Sequence, residues 1–170
     1  PTSKQVDSWL QEDLEHILHH GMSKLGLNKE DLLAPEDLSD LLPVKTPNPM
    51  MIYGPLLTTQ TIIPDHENVF IKRDGSIRFS CYEVMIVALT QSRIATYTCQ
   101  YNFMRNSIVQ ENAKEFLYTD VVSVATEENL SNHTFPTGEN LSIRRQFKLA
   151  VASGDNIVVS VTSPEMREKL

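Results

Sequence analysis

Two histidines near the start of the chain have the spacing of a metal site. His16 and His20 are four residues apart, so on a helix they share a face and can both bind one metal ion. Glu12 lies one turn before His16 and can add a carboxylate. A structural site needs a fourth ligand, and the sequence offers none at a matching spacing. We therefore interpret His16 and His20 as weak metal candidates on a solvated polar face, and we predict no metal.

Other groups that can act as nucleophiles lack the neighbours that catalysis requires. Cys81 and Cys99 are the only cysteines, and neither belongs to a Cys-X-X-Cys or cysteine–histidine signature. Asp120, Ser123 and His133 are the side-chain types of a serine hydrolase, but no nucleophile elbow or glycine-rich oxyanion turn accompanies the serine. We expect a protein that is not an enzyme and has no cofactor, with a small hydrolase as the least favoured alternative.

Basic residues flank several loops of the C-terminal half. If these loops lie at one end of the fold, the basic groups can form a small patch that holds a phosphate, a lipid headgroup or an acidic peptide. The residues of this patch are Arg93, Arg105, Lys114, Arg144 and Arg145. The alternative, which we favour, is that these charges are solvated at strand ends and balance nearby glutamates.

Length and composition limit the classes of protein that these residues can serve. The chain has 170 residues, which is enough for one domain with its own core. Its net charge of −7 argues against nucleic-acid binding, which relies on lysine and arginine to neutralise phosphates. No apolar run approaches the roughly 18 residues that a membrane-spanning helix needs, and the first residues lack a signal-peptide pattern. We expect a soluble, cytoplasmic protein.

The first 48 residues form an acidic helical annex with a linker. They hold nine acidic residues and four lysines, whereas the rest of the chain is nearly balanced. Apolar residues from Leu10 to Leu25 recur at helical spacing, Ser3 or Asp7 can cap the start, and Gly26 stands where a helix ends. Short helical turns are predicted near residues 28–33 and 36–42. Prolines at 43, 47 and 49 then predict an extended connector.

Residues 49–170 have the periodicity of antiparallel strands. We predict strands over 77–89, 94–103 and 115–125, with polar loops before residue 115 and over 127–142. Turn residues predict a first hairpin at Asp74-Gly75 and another between strands 147–152 and 157–161. If the chain also turns at Gln91-Ser92, Cys81 and Cys99 are offset by three positions and do not form a disulfide. Ser163-Pro164-Glu165 predicts the start of a C-terminal helix.

The order of these elements resembles bacterial pleckstrin-homology-like domains over roughly residues 77–170. The resemblance rests on the segment from Leu89 to Ile94, which reads LTQSRI, on YTDVVSV from Tyr118 to Val124, and on the hairpin at Gly154. It implies an α+β, mainly antiparallel fold, a bent barrel or sandwich closed by a C-terminal helix. Relatives with this fold bind lipid headgroups, peptides or one another, and the headgroup-binding members use a basic cluster that this chain matches only at Arg93.

These observations lead to three hypotheses. The first is a noncatalytic interaction or scaffolding domain that docks a protein partner along a sheet edge or associates with itself. Trp9 lies at the margin of the annex helix, and this helix is the expected docking element. The second is binding of an anion or lipid headgroup through the basic patch, which we do not favour. The third is the small hydrolase.

Overall fold

The computed structural model describes residues 1–34, 36, 47–56, 70–73, 76–127, 131–134, 140–143, 145–154 and 156–161. This part of the chain is α+β and mainly antiparallel, as the sequence predicts. It has one long helix, α1 (Ser3–Leu25), and eleven strands: β1 (Met50–Pro55), β2 (Phe70–Arg73), β3 (Ser76–Phe79), β4 (Cys81–Leu89), β5 (Arg93–Asn102), β6 (Ser107–Leu117), β7 (Val121–Glu127), β8 (Ser131–Thr134), β9 (Asn140–Ile143), β10 (Arg145–Val151) and β11 (Asn156–Val161).

Helix α1 begins at Ser3, and its cap is neither of the two expected residues, Ser3 and Asp7. Thr2 is the N-cap: its hydroxyl accepts from the Gln5 amide at 3.2 Å, and the Gln5 side chain accepts from the Thr2 amide at 2.9 Å. Such a reciprocal pair satisfies two of the unpaired amides at a helix start. Asp7, one of the expected caps, instead forms an ion pair with Arg78 at 2.7 Å. Gly26 ends the helix in the left-handed conformation, with φ of 67°, as predicted.

A four-stranded antiparallel sheet with the strand order β1-β4-β5-β6 forms the centre of the fold. The turn at Gln91-Ser92 sets the register predicted from the sequence, with Cys81 opposite Asn102 and Cys99 opposite Val84. The two cysteines therefore form no disulfide with each other, and both are buried. The predicted strand 77–89 is broken at Ser80, because the chain turns there so that β3 pairs with β2 while β4 pairs with β1 and β5.

The other strands form one three-stranded sheet, β11-β10-β7, and two hairpins, β2-β3 and β8-β9. The predicted hairpin between residues 147–152 and 157–161 is confirmed as β10 and β11. The predicted strand 115–125 is wrong as a single element, because a 3-10 turn (Tyr118–Asp120) separates β6 from β7. The polar loop predicted before residue 115 is largely strand β6, and the loop predicted over 127–142 contains β8 and β9.

Several predictions lie outside the described residues. They are the helical turn at 37–42, Pro43 of the connector, the turn at Asp74-Gly75, Arg144 of the basic patch and the C-terminal helix from Ser163. The short helical turn expected near residues 28–33 is confirmed as a 3-10 turn (Lys29–Asp31). Among the described residues, no helix has the length and apolar character to cross a membrane.

Helix α1 packs on one face of the four-stranded sheet. Leu14, Ile17 and Leu25 form one apolar cluster with the side chains of β4 and β5 that face the helix, including Ile86 and Tyr97. A second apolar cluster lies on the opposite face and includes Met85, Val87, Ile94 and Leu149. Since Leu149 belongs to β10, the three-stranded sheet contributes to this second cluster, and β1 lies against β11 at the junction.

Asn48 connects the chain before β1 to the end of β4. Its amide nitrogen donates to the carbonyls of Leu33 and Leu89, at 3.0 and 2.9 Å, and its side-chain oxygen accepts from the Leu89 amide at 3.0 Å. The Leu33 amide also donates to the Leu89 carbonyl at 2.9 Å. One half-buried side chain therefore ties the segment after α1 to the central sheet.

We expect Asn48→Ala to lower the free energy of unfolding by about 1–3 kcal/mol, because the Leu89 amide and two carbonyls lose a partner in a half-buried place. Urea unfolding followed by circular dichroism measures the change. Gln91→Ala, which removes an exposed amide from the nearby turn, is the matched control and should change stability by less than about 0.5 kcal/mol. Equal losses for the two variants would contradict a connecting role for Asn48.

Candidate functional site

Strand β6 forms an edge of the four-stranded sheet, and its outer backbone groups lack a partner strand in the described part of the chain. The direction of these groups follows from the neighbouring hairpin. The Thr90 amide donates to the Arg93 carbonyl at 3.0 Å, so the backbone groups of Arg93 point toward β4. Because these directions alternate along a strand, the odd-numbered residues of β5 form backbone hydrogen bonds with β4 and the even-numbered residues form them with β6. Thr96 stands directly opposite Lys114. The backbone groups of Lys114 therefore point inward, and those of Ala113 and Glu115 point outward.

A β-bulge limits the regular part of this edge. The pairing between β5 and β6 shifts between Thr98 and Gln100, and Gln110 has a positive φ of 54°. One extra residue of β6 at this place re-aims the next side chain, Glu111, toward the helix. From residue 112 to residue 117 the register with β5 is regular. We call this segment, residues 112–117, the β6 edge.

Polar contacts fix the strand to α1 just before the β6 edge. The hydroxyl of Tyr97 donates to Glu111 Oε1 at 2.6 Å, and His20 Nε2 contacts the same oxygen. The hydrogen bonds from Tyr97 and His20 lower the pKa of Glu111 below its ordinary value, while burial raises the pKa of Tyr97. Since Tyr97 is buried between helix and sheet, these contacts hold the edge strand in a fixed position.

Exposed apolar side chains lie at the end of the β6 edge and just beyond it. Leu117 is 50% exposed and Val122 is 68% exposed, and Tyr118 between them is also exposed. The Tyr118 hydroxyl donates to the Thr90 carbonyl, which fixes the turn between β6 and β7 to the turn between β4 and β5. A ligand strand that follows the β6 edge toward its end therefore meets an apolar surface.

A polar cleft lies on the face of the sheet that is turned away from α1. It has a volume of about 250 Å³. The pairing sets Glu83 beside Gln100 and Thr98 beside Asn112, so polar side chains from three strands share this face. The polar cleft is lined by Glu83, Thr96, Thr98, Gln100, Asn112, Lys114 and Asn156, with further contributions from Val84, Cys99 and Gln110.

The residues of the predicted basic patch are far apart along the sheet. Arg93 and Asn102 are the two ends of β5, about 30 Å apart, and Arg105 lies in the turn beyond Asn102. Arg93 forms an ion pair with Glu115 at 2.8 Å, whereas Lys114 lines the polar cleft on the opposite face. The structure therefore does not bring Arg93 and Arg105 together. Arg145 is the first residue of β10, and Arg144 lies outside the described residues.

The groove that contains Arg93 is acidic. It lies between the end of α1 and the turn from β4 to β5, and has a volume of about 630 Å³. Glu30, Asp31 and Glu115 line it together with Arg93. Three carboxylates around one paired guanidinium oppose the binding of an anion at this place.

His16 and His20 do not assemble a metal site with other ligands. His16 is exposed, whereas His20 packs edge-on against Tyr97 and contacts Glu111. The described residues contain no group of three or more histidine, cysteine or acidic side chains that can hold a metal ion. The interpretation of both histidines as solvated holds for His16, but His20 is part of the contact between helix and sheet.

The two cysteines that were considered as nucleophiles are buried. Burial raises the pKa of Cys99 to about 11, so its thiol is protonated at neutral pH, and burial also raises the pKa of Cys81. Asp120 is the last residue of the 3-10 turn before β7, and Ser123 lies in β7. Both are exposed, and the Asp120 carbonyl accepts from the Ala152 amide at 2.8 Å. His133 lies in β8, of whose side chains the structure says nothing.

Sequence reasoning missed the polar cleft. A signal was present, because Thr96, Thr98 and Gln100 alternate with apolar residues along β5, and Glu83 interrupts an apolar run in β4. Comparison of the chain with protein-family models, with curated proteins and with solved structures gives no match.

Proposed function

We propose that this protein is a noncatalytic interaction domain that binds an extended segment of a partner protein along the β6 edge. The observation that carries this proposal is the row of outward backbone groups at Ala113, Glu115 and Leu117, which no described strand pairs with. An added strand gains main-chain hydrogen bonds from such an edge, and its alternate side chains give specificity. The contacts of Glu111 with Tyr97 and His20 support the proposal, because a fixed edge lowers the entropy lost on binding.

The charges of the β6 edge favour a different chain over a second copy of this one. A second copy of this chain would pair its own β6 with this one in antiparallel orientation, related by a two-fold axis. Residues directly opposite one another then point to the same face of the sheet, whereas neighbours within a strand point to opposite faces. The residue at the axis must therefore stand opposite the same residue of the other copy. Near the middle of the β6 edge that residue is Lys114 or Glu115. Like charges directly opposite one another destabilise a strand pair. A partner segment can instead place an acidic residue opposite Lys114 and a basic residue opposite Glu115.

The fold supports the same class of function. We propose that the β domain is pleckstrin-homology-like, a bent and open arrangement in which β1 lies against β11 and the sheets pack through the second apolar cluster. The buried, reduced thiols of Cys81 and Cys99 fit a reducing compartment, and we propose a cytoplasmic location. The net charge of −7 supports a protein partner over a nucleic acid.

We expect Ala113→Pro to remove binding at the β6 edge while the domain stays folded. Proline eliminates an outward amide at Ala113, whereas the amide of Lys114 bonds inward to β5. The probe is an acetylated hexapeptide that pairs antiparallel with the β6 edge, so its first residue faces residue 117 and its last faces residue 112. Its side chains are, in order, apolar, apolar, basic, acidic, apolar and polar, which sets the basic one opposite Glu115 and the acidic one opposite Lys114. Chemical shifts of the labelled protein measure binding, and Ala113→Pro should weaken it at least about fivefold.

Two controls make this experiment specific. Lys114→Pro breaks the ladder with β5 and should destabilise the domain by about 1–3 kcal/mol, which separates an edge effect from unfolding. A peptide with its acidic and basic positions exchanged tests the charge pattern opposite Lys114 and Glu115. Binding that survives Ala113→Pro unchanged, or shifts that fall away from residues 112–117, would refute strand addition at this edge.

A further inference from the structure

Glu83 is a carboxylate that forms no ion pair with any residue that the structure describes. It is half-buried in the middle of the central sheet, and burial is the one cause that shifts its pKa, which is raised. No hydrogen bond or ion pair joins its side chain to another described residue. A buried carboxyl without partners costs free energy, and such groups in native proteins call for an explanation.

The groups around Glu83 are mostly neutral and polar. Gln100 stands directly beside it on β5, and Thr98 and Asn112 follow as the next pair on the same face. Their hydroxyl and amide oxygens all accept hydrogen bonds. Lys114 also lines the polar cleft, and it stands opposite Thr96. Thr96 and Gln100 are four residues apart on β5, so their backbones are about 13 Å apart. The end of the cleft at Glu83 is therefore acidic and rich in acceptors.

We propose that the polar cleft binds a small organic cation, a primary ammonium compound, with Glu83 as its counter-ion. The ammonium donates one hydrogen bond to the Glu83 carboxylate and the others to oxygens of Thr98 and Gln100. Three donors and a single charge match this set of acceptors, whereas a metal ion needs more anionic ligands than the described residues supply. A volume of about 250 Å³ accommodates an alkyl chain of a few carbon atoms.

This proposal is independent of strand addition, because the polar cleft lies on a face of the sheet and the partner segment follows its edge. The probes are n-butylammonium chloride, 1-butanol and sodium butyrate, which share one alkyl chain and differ in charge. Amide chemical shifts of the labelled protein should respond to n-butylammonium at Glu83, Thr98, Gln100 and Asn112. The neutral and anionic probes should give no saturable response at these residues.

The decisive variant is Glu83→Gln, which keeps the shape of the side chain and removes its charge. It should weaken n-butylammonium binding at least about tenfold, the effect of losing a hydrogen bond to a charged group. Glu12→Gln, at an exposed carboxylate of α1, is the matched control and should bind as the unmodified protein does. Thr98→Val is a second variant, which removes one acceptor, retains the charge and should weaken binding by a smaller factor.

The pH dependence distinguishes this site from adventitious binding. Among the described residues that line the polar cleft, Glu83, Cys99 and Lys114 are titratable, and the Cys99 side chain packs in the apolar cluster on the other face of the sheet. Because burial raises the pKa of Glu83, a cation that holds this carboxyl ionised must bind more tightly as the pH rises through that pKa. Affinity for n-butylammonium should therefore fall between pH 7 and pH 4 in the unmodified protein and in Lys114→Met, but stay constant in Glu83→Gln.

Three results would overturn the proposal. The first is equal response to n-butylammonium and 1-butanol, which would mean that the cleft takes an alkyl chain regardless of charge. The second is an affinity that Glu83→Gln leaves unchanged while its amide spectrum shows a folded domain. The third is the absence of any saturable shift at the cleft residues with n-butylammonium at pH 7.

Discussion

Leu14→Ala is expected to lower the free energy of unfolding by about 2–5 kcal/mol. Leu14 is 0% exposed and lies in the apolar cluster between α1 and the central sheet, with Ile17 and Tyr97. Removing three carbon atoms there loses their burial and leaves a cavity that the packed sheet cannot close. For a domain of this size, the loss corresponds to a fall in melting temperature of roughly 5–15 °C.

Urea unfolding of the whole chain measures this change, with Leu18→Ala as the matched control. Leu18 belongs to the same helix but is only half-buried, so its truncation should cost less than half as much. Similar losses for Leu14→Ala and Leu18→Ala would show that the helix does not dock on the sheet through the face described above. A fall in the free energy of unfolding of less than about 1 kcal/mol for Leu14→Ala would also show that the helix does not dock through this face.

Gly21→Val is the second substitution with a large expected effect. A Cβ atom added at Gly21 would stand 2.5 Å from Ile86 Cδ1 and 2.8 Å from Tyr97 Cδ1. Both distances are shorter than carbon atoms can approach without a clash. The Ile86 methyl can rotate away, but the ring of Tyr97 is fully buried and bonded to Glu111. Valine adds two further methyl groups, so α1 must move off the sheet. We expect a loss of about 3 kcal/mol or more, at the upper end for an overpacked core.

The size of the added side chain tests this explanation. Gly21→Ala should destabilise less than Gly21→Val, because alanine favours a helix by about 1 kcal/mol over glycine and this gain offsets part of the clash. Ser23→Val places the same β-branched residue on the exposed face of α1 and should cost no more than about 0.7 kcal/mol. A Gly21→Val protein as stable as Ser23→Val would mean that the helix and the sheet are further apart than described.

The sequence predicted the elements whose pattern is local. The apolar stripe of α1 and the end of the helix at Gly26 follow from side-chain spacing and from the conformational freedom of glycine. The register of β4 and β5 follows from the turn at Gln91-Ser92, which fixes every later pair, including the offset of Cys81 and Cys99. Each of these features depends on residues close together in the chain.

The failed predictions concern elements whose surroundings are set by distant residues. The sequence predicts a loop over β6 as far as residue 114, because an edge strand is solvated on more than one side and carries polar residues on both faces. The 3-10 turn at Tyr118–Asp120 interrupts β-branched and aromatic residues that favour a strand on either side of it. The contacts of Glu111 depend on pairing with residues of another strand and on a β-bulge, neither of which has a local signal.

Hydrogen exchange along residues 112–117 tests the central claim, an edge strand whose outer backbone groups are free to pair with a partner. In the protein alone, the amides of Asn112, Lys114 and Phe116 should exchange at least about a hundredfold more slowly than those of Ala113, Glu115 and Leu117, because only the first three bond to β5. Uniform protection of all six amides would contradict the account, since it would mean that another part of the chain, or a second copy, already covers this edge.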